Sequence, residues 1–212
     1  MTNHSAANST PTVFLVDDDA SVRRALARLI KSAGYRVQSF ASAQAFLDAK
    51  PQWVGPACLV LDIRMPGVSG LDLQSEMLAA NAILPIIFIT GHGDIPMSVQ
   101  AMKAGAVDFL PKPVREETLL PAIEQALARA VIEHDERAEL EDIQSRIDTL
   151  TPRECEVMER VVAGMLNKQI AFDLGTVEKT IKVHRARVMD KMQVESLAEL
   201  VRIAQRVGIG KT

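Results

Sequence analysis

A chain of 212 residues is long for one domain and comfortable for two, each able to bury a core of its own. Its 48% hydrophobic and 24% charged residues sit near globular averages, which excludes a fibrous or disordered chain, and no stretch approaches the ~20 apolar residues of a membrane span. The net charge of −3 hides an asymmetry: residues 1–149 carry 13 basic and 19 acidic groups, whereas residues 150–212 carry 11 and 8.

The opening segment MTNHSAANSTPT is polar and lacks both a basic n-region and an apolar h-region, so residues 1–11 are expected to be a flexible start and the protein to be cytoplasmic. Cys58 and Cys155 stand far apart in apolar contexts without a CxxC or a Cys/His cluster, and read as small core residues rather than a disulfide or zinc site.

Over residues 12–125 short apolar runs alternate with amphipathic stretches. The runs TVFLV (12–16), YRVQSF (35–40), ACLVL (57–61), PIIFIT (85–90) and VDFL (107–110) suit strands of a parallel sheet buried on both faces. Between them, Val22, Ala25, Leu26, Leu29, Ile30 and Ala33 form one helical face closed by Gly34. Ser42 caps a second helix that Pro51 stops, and Asp94 and Pro96 open another that ends at Gly105. Five such units predict a doubly wound α/β fold, in which chemistry sits at the carboxyl ends of the strands.

What lies just past each strand is therefore decisive. The first run leads into Asp17, Asp18 and Asp19, the third into Asp62, the fourth into Thr90 and the fifth into Lys112. Carboxylates at that density cannot all ionise without a cation, and hard oxygen ligands suit Mg²⁺. A metal there would cancel repulsion between a carboxylate nucleophile and an incoming phosphoryl group, while a hydroxyl and an ammonium hold phosphoryl oxygens.

VDDD, LDIRMPGVSG, ITGHGD, AMKAGAVD and FLPKP, in this order and spacing, resemble the receiver family of two-component signalling over about residues 11–125. The resemblance implies a five-stranded sheet of order 2-1-3-4-5 and makes Asp62 the phosphoacceptor. It further implies Mg²⁺ bound by Asp18 and Asp62, by Asp17 through water, and by the backbone carbonyl of Arg64. Thr90 and Lys112 would bind the phosphoryl group, and Phe109 occupies the aromatic switch position. Lys112–Pro113 is a candidate cis peptide. The run from Gly91 to Met97 narrows the likeness to the branch of FixJ and StyR. His92 within it reads as an exposed loop residue rather than a general acid.

After Pro113 the pattern is wholly helical. A helix starting near Glu116 continues through ALARAVIEHDERAELEDIQSRIDTL, and residues 126–147 read as a helical linker. Leu140, Ile143, Ile147 and Leu150 form a short heptad-like stripe, open to two readings: a dimeric coiled coil or a solvated connector.

Residues 148–212 predict a four-helix domain. Thr151-Pro152-Arg153-Glu154 is a capping box. It opens a helix carrying Val157, Met158, Val161 and Val162 that ends at Gly164. Asn167 is expected to cap a second short helix ended by Gly175, and a third follows at once, the helix-turn-helix pattern. On the third, Val177, Ile181, His184 and Val188 share an inner face. The opposite face carries Lys179, Lys182, Val183 and Ala186 between Arg185 and Arg187, and Lys191 extends the basic cluster. Lysines with small apolar groups suit base edges in the major groove, while flanking arginines suit phosphates. LTPRECEV, NKQIAFDLG and KTIKVHRARVMDKM resemble the LuxR/NarL-type output domain over residues 148–207. That family opens its recognition helix with Ile-Ser, where this chain has Thr176-Val177, so Thr176 is expected to cap one residue earlier. A last helix from Ser196 to about Val207 carries Leu197, Leu200, Val201 and Ala204 and closes or helps dimerise the domain.

Together these resemblances imply a response regulator. A sensor histidine kinase would phosphorylate Asp62, the phosphorylated chain would form a homodimer on promoter DNA, and an activator would work through RNA polymerase. A haloacid-dehalogenase-type enzyme would need a second Asp two residues past the nucleophile, where Arg64 stands. A relay without a DNA role would not need the helix-turn-helix. No metabolic enzyme and no membrane association are expected.

Overall fold

The computed structural model describes residues 10–82, 84–91 and 95–210, Ile95 by its backbone alone. The opening segment through residue 9, His92 and the proposed helix opener Asp94 lie outside the described residues.

The elements run β1 (Thr12–Val16), α1 (Ala20–Ser32), β2 (Arg36–Phe40), α2 (Ala43–Ala49), β3 (Ala57–Asp62), α3 (Gly70–Ala79), β4 (Ile86–Thr90), α4 (Ile95–Lys103) and β5 (Asp108–Pro111). All five strands are parallel in the order β2-β1-β3-β4-β5, with Val13 opposite Val37 and Cys58, Leu61 opposite Phe88, and Thr90 opposite Pro111. Successive side chains leave a strand on opposite faces, and the core divides accordingly. Phe14, Val16, Leu59, Leu61 and Phe88 pack with Phe46 of α2, Leu73 and Met77 of α3 and Ala101 of α4. Val13, Leu15, Cys58, Val60, Ile87 and Ile89 pack on the other face with Leu26 and Ile30 of α1 and with Leu119, Ile123 and Ala126 further on. Each such fully buried side chain is worth about 1.5–3 kcal/mol, which is why the three central strands read as continuous apolar runs.

The edge strands depart from the sequence expectation. In β2, Arg36 and Ser39 are exposed and the rest half-buried, because an edge strand has a neighbour on one side only. In β5 only Leu110 is fully buried. Ala25 on α1 and Ala33 just past its end face solvent, so the apolar face is narrower than the alanines suggested.

The helix starts that frame the carboxyl edge are capped. Asp19 Oδ1 accepts from Ser21 N at 2.7 Å and Val22 N at 3.3 Å, and Ser42 accepts from Ala45 N. Ser69 and Asp72 form a reciprocal capping box at α3. Gly70 opens α3 so tightly against β3 that a Cβ there would lie 2.4 Å from the Asp62 carbonyl oxygen.

α5 (Glu116–Asp148) follows, then α6 (Pro152–Val162), α7 (Asn167–Asp173), α8 (Glu178–Lys191) and α9 (Leu197–Arg206). The chain divides into two compact units at 134/135, within α5. The first half of α5 supplies Leu119, Ile123 and Ala126 to the sheet's core. In the second unit, Leu150 joins Val157, Met158, Val161, Ile170, Ile181, Val188, Met192 and Leu200 in a second core, with Ile147 packed against it. Ile143 is 3% exposed, Arg146 Nη1 donates to the Met192 carbonyl at 3.1 Å, and Glu139 pairs with Arg206. The heptad-like stripe is thus covered from Ile143 onward by its own unit, which fits neither a coiled-coil seam nor a solvated connector, while Leu140 is 39% exposed.

Candidate functional site

The strand ends bring the chemistry together. Asp17 directly follows β1, Asp62 and Thr90 end β3 and β4, and Lys112 directly follows β5. Lys112 Nζ lies 2.6 Å from Asp62 Oδ2 and 2.7 Å from Asp17 Oδ2. Its backbone N donates to the Thr90 carbonyl at 2.7 Å, and the Lys112–Pro113 bond is cis. Asp62 Oδ1 accepts from Arg64 N at 3.2 Å, tying the loop after β3 to the carboxylate. Asp17, Asp62 and Thr90 are buried and Asp18 is exposed, so the pocket has a dry floor and a wet rim.

The three aspartates of the sequence run have different surroundings. Asp17 and Asp18 each present a carboxylate oxygen to Asp62, all three within 4.8 Å of one another. Asp19 turns away to cap α1, and the two backbone N–H groups it accepts hold its carboxyl below the usual range. Its own N–H donates to Asp17 Oδ1 at 2.8 Å. Burial pushes the Asp17 carboxyl up, against the pull of Lys112. Burial pulls the Lys112 ammonium down, but the two carboxylates outweigh it and hold the ammonium above its ordinary value.

Among the described residues, Asp17 Oδ2 is buried and accepts no hydrogen bond, so its contact with Lys112 is an ion pair of unfavourable angle. A buried oxygen short of donors beside two further carboxylates is a donor set that fits a hard divalent cation. Phe109 sits in β5, two positions before the partner of Thr90, and packs half-buried on the core that includes Ala101 of α4. Beside the pocket, Asp18 and Arg64 rim an open groove of about 480 Å³ floored by Ile63, Met65, Leu71 and Met97. Two contributors were missed from the sequence alone: Gly70, which ends the LDIRMPGVSG block and brings α3 tightly against Asp62, and Arg23, whose guanidinium reaches the Asp17 and Asp18 carbonyls.

In the second unit, Gly175 at φ +62° makes the turn between α7 and α8. Lys179, Lys182, Val183, Ala186 and Arg187 are exposed on α8, while Ile181 and Val188 are buried beneath. Lys182 pairs with Glu178 at 3.2 Å on the helix surface. Arg185 lies nearer the inner face than the sequence suggested and donates to Asn167 Oδ1 at 3.3 Å.

Four expectations are corrected here. Asn167 is the first residue of α7, and the cap position is Leu166, whose N–H donates to the Gln169 side chain at 2.7 Å. Val177, not Thr176, is the N-cap of α8. It makes no side-chain cap and is 64% exposed rather than packed inward, while Thr176 N closes the preceding turn on the Ala171 carbonyl. Lys191 does not belong to the exposed basic face: its Nζ donates to Glu154 Oε2 at 2.7 Å and to the Thr149 carbonyl at 2.8 Å. His184 is half-buried as expected of a packing residue, with an Nδ1 that finds no partner among the described residues.

No helix of the described residues is long and apolar enough to cross a membrane. Residues 13–124 match the response regulator receiver domain, and residues 148–204 match the bacterial regulatory proteins of the luxR family. Nodulation protein W of Bradyrhizobium diazoefficiens is 47% identical, covering 97% of this chain and 90% of its own length. The transcriptional regulatory protein FixJ of the same organism is also 47% identical, covering 93% of this chain and 96% of its own. The structure of the response regulator StyR superposes with a TM-score of 0.80 at 47% identity, over 93% of this chain and all of that one. Receiver domains generally bind Mg²⁺ at such an acidic pocket, and this domain pair implies a histidine kinase and DNA as partners. The chain belongs to the two-component response regulators that join a receiver to a LuxR-type DNA-binding domain, a family of transcriptional regulators rather than metabolic enzymes.

Proposed function

We propose that a sensor histidine kinase in the cytoplasm transfers a phosphoryl group to Asp62 and that this transfer controls DNA binding. The observation that carries the reading is the convergence of Asp17, Asp62, Thr90 and Lys112 from four separate strand ends, with Lys112 Nζ within 2.7 Å of both buried carboxylates.

Asp62 is the nucleophile, and its Oδ1 is oriented by the Arg64 N–H. Asp18, Asp62 and the Arg64 backbone carbonyl, with Asp17 through water, would hold Mg²⁺, which would screen the charge that develops on the transferring group. Thr90 and Lys112 bind phosphoryl oxygens, the lysine exchanging its present carboxylate contacts for the new anion. Thr90 and Phe109 then reorient, and the surface around α4 and β5 changes. The phosphoryl group biases an existing equilibrium by a few kcal/mol toward a form that dimerises.

The receiver spans 12–125, the connecting helix 126–147 and the DNA-binding domain 148–212. Two copies of α8 read paired half-sites in the major groove: Lys179, Lys182, Val183 and Ala186 at base edges, Arg185 and Arg187 at phosphates. Productive binding recruits RNA polymerase and activates transcription.

Binding of the purified protein to promoter fragments, measured against salt with Mg²⁺ and a small phosphodonor, tests the reading. Phosphodonor should tighten binding by the wild type and leave D62N unchanged. Equal tightening of both proteins would remove Asp62 as the switch.

A further inference from the structure

The acidic turn after β1 poses a mechanical problem. Two neighbouring carboxylates, Asp17 and Asp18, must both point toward Asp62 although they repel each other and the ladder has ended. Asp17 is held on two sides, by its N–H to the Phe40 carbonyl at 3.3 Å and by the Asp19 N–H on its Oδ1. The Asp19 N–H holds the Asp18–Asp19 peptide plane, but neither contact holds the Asp17–Asp18 peptide. Arg23 does: its Nη1 donates to the Asp17 carbonyl at 2.6 Å and to the Asp18 carbonyl at 3.3 Å. Arg23 is the fourth residue of α1, and its backbone N bonds the Asp19 carbonyl at 2.9 Å, so the guanidinium projects from a rigid, capped first turn. Arg24 and Arg28 of the same helix are exposed, whereas Arg23 is half-buried against the turn.

We propose that Arg23 is a positioning residue for the cation site: by holding the Asp17 and Asp18 carbonyls it fixes the turn so that both carboxylates face Asp62. The proposal rests on the metal-site reading above. It acts through the peptide planes and not through charge, because a guanidinium beside the pocket opposes a cation. Loss of the charge alone would tighten binding, and loss of the clamp loosens it, so the sign of the effect separates the two. A lysine keeps the charge and also offers one donating nitrogen, but on a flexible stem without the planar group that orients Nη1.

Calorimetric titration of Mg²⁺ into the full-length wild type, R23A and R23K, with melting curves in chelator and in Mg²⁺, tests it. Mg²⁺ affinity should fall about ten-fold or more in R23A and by an intermediate amount in R23K, as is usual when a supporting partner of a metal ligand is lost. The Mg²⁺-induced rise in Tm should shrink in the same order, which a merely structural defect, lowering both melting curves equally, would not produce. Should R23A fold poorly, R23K carries the comparison alone. Wild-type binding with equal or tighter binding in the variants overturns the role of Arg23 only. A wild type that binds no Mg²⁺ overturns the metal site and this proposal with it.

Discussion

Both halves of the molecule hold a lysine against a buried carboxylate, and the two pairs are built for opposite ends. In the receiver, Lys112 lies between Asp17 and Asp62 while Asp17 Oδ2 accepts no hydrogen bond among the described residues, and burial raises the Asp17 carboxyl. In the DNA-binding domain, Glu154 is 2% exposed and its Oε2 takes both Lys191 Nζ at 2.7 Å and Thr151 N at 2.9 Å. That lysine contact and the Thr151 N–H push its carboxyl down to about 2. A saturated pair joins elements: Glu154 caps α6, and Lys191 ends α8 and also reaches the Thr149 carbonyl after α5. An undersatisfied pair has an incentive to exchange partners, which suits a pocket proposed to admit a cation and a phosphoryl group.

The sharpest way to break that contrast is to remove each lysine in turn. In K112A the phosphoryl group loses a charge-assisted hydrogen bond of about 2–3 kcal/mol, so phosphorylation of Asp62 by a small phosphodonor should slow by about 30- to 160-fold. In Mg²⁺ the variant should melt no lower than the wild type, since a cation can still hold the carboxylates that the lysine leaves. Substantial unfolding of K112A would mean that this pair, too, is structural.

K191M should do the reverse. It strands a buried carboxylate, at a cost of about 2–3 kcal/mol once the partial exposure of Lys191 is allowed for. Chemical denaturation should show the loss in the transition of residues 135–212, with phosphorylation of Asp62 unaffected. Strong DNA binding by a folded K191M would also show that Lys191 is no part of the basic reading face.

Acid should separate the pairs more gently. Because the folded Glu154 carboxyl is depressed below its ordinary value of 4.5, its contribution is complete above that pH and is lost as pH falls toward about 2. The Tm of the DNA-binding unit should therefore drop over that window, and E154Q should flatten the drop while lowering stability at neutral pH. An E154Q profile as steep as the wild type would place the acid sensitivity elsewhere.

Much of this was legible in the sequence because it is local or periodic. The strand runs, the helix caps at Ser42 and Thr151 and the residues at four strand ends follow from spacing alone, and parallel strands then bring those ends to one edge. What was not legible depends on partners far along the chain. Nothing near Lys191 announces Glu154, and nothing in the DDD run says that Asp19 caps a helix while Asp17 and Asp18 face Asp62. The Ile143–Leu150 stripe has the spacing of a coiled-coil seam, but the same spacing serves a helix docked on its own unit's core. Arg23 stands beside another arginine on an amphipathic helix, and only the fold distinguishes them.

The smallest expected effect lies at the start of α8, which like α7 opens without a side-chain cap. α6 opens with a full capping box, whereas Val177 offers α8 no acceptor for its first backbone N–H groups. Val177 has extended N-cap dihedrals, φ −103° and ψ 151°, and its exposed side chain packs little, so replacing it removes almost nothing. Val177→Ser supplies the missing oxygen and should stabilise the unit by about 0.5–1 kcal/mol, read as a higher urea midpoint at unchanged slope. Affinity for DNA should rise little, since the cap orders a helix that is already formed. A fall in stability would show that Val177 makes an apolar contact worth more than a cap, and that the bare start of α8 is packed rather than merely tolerated.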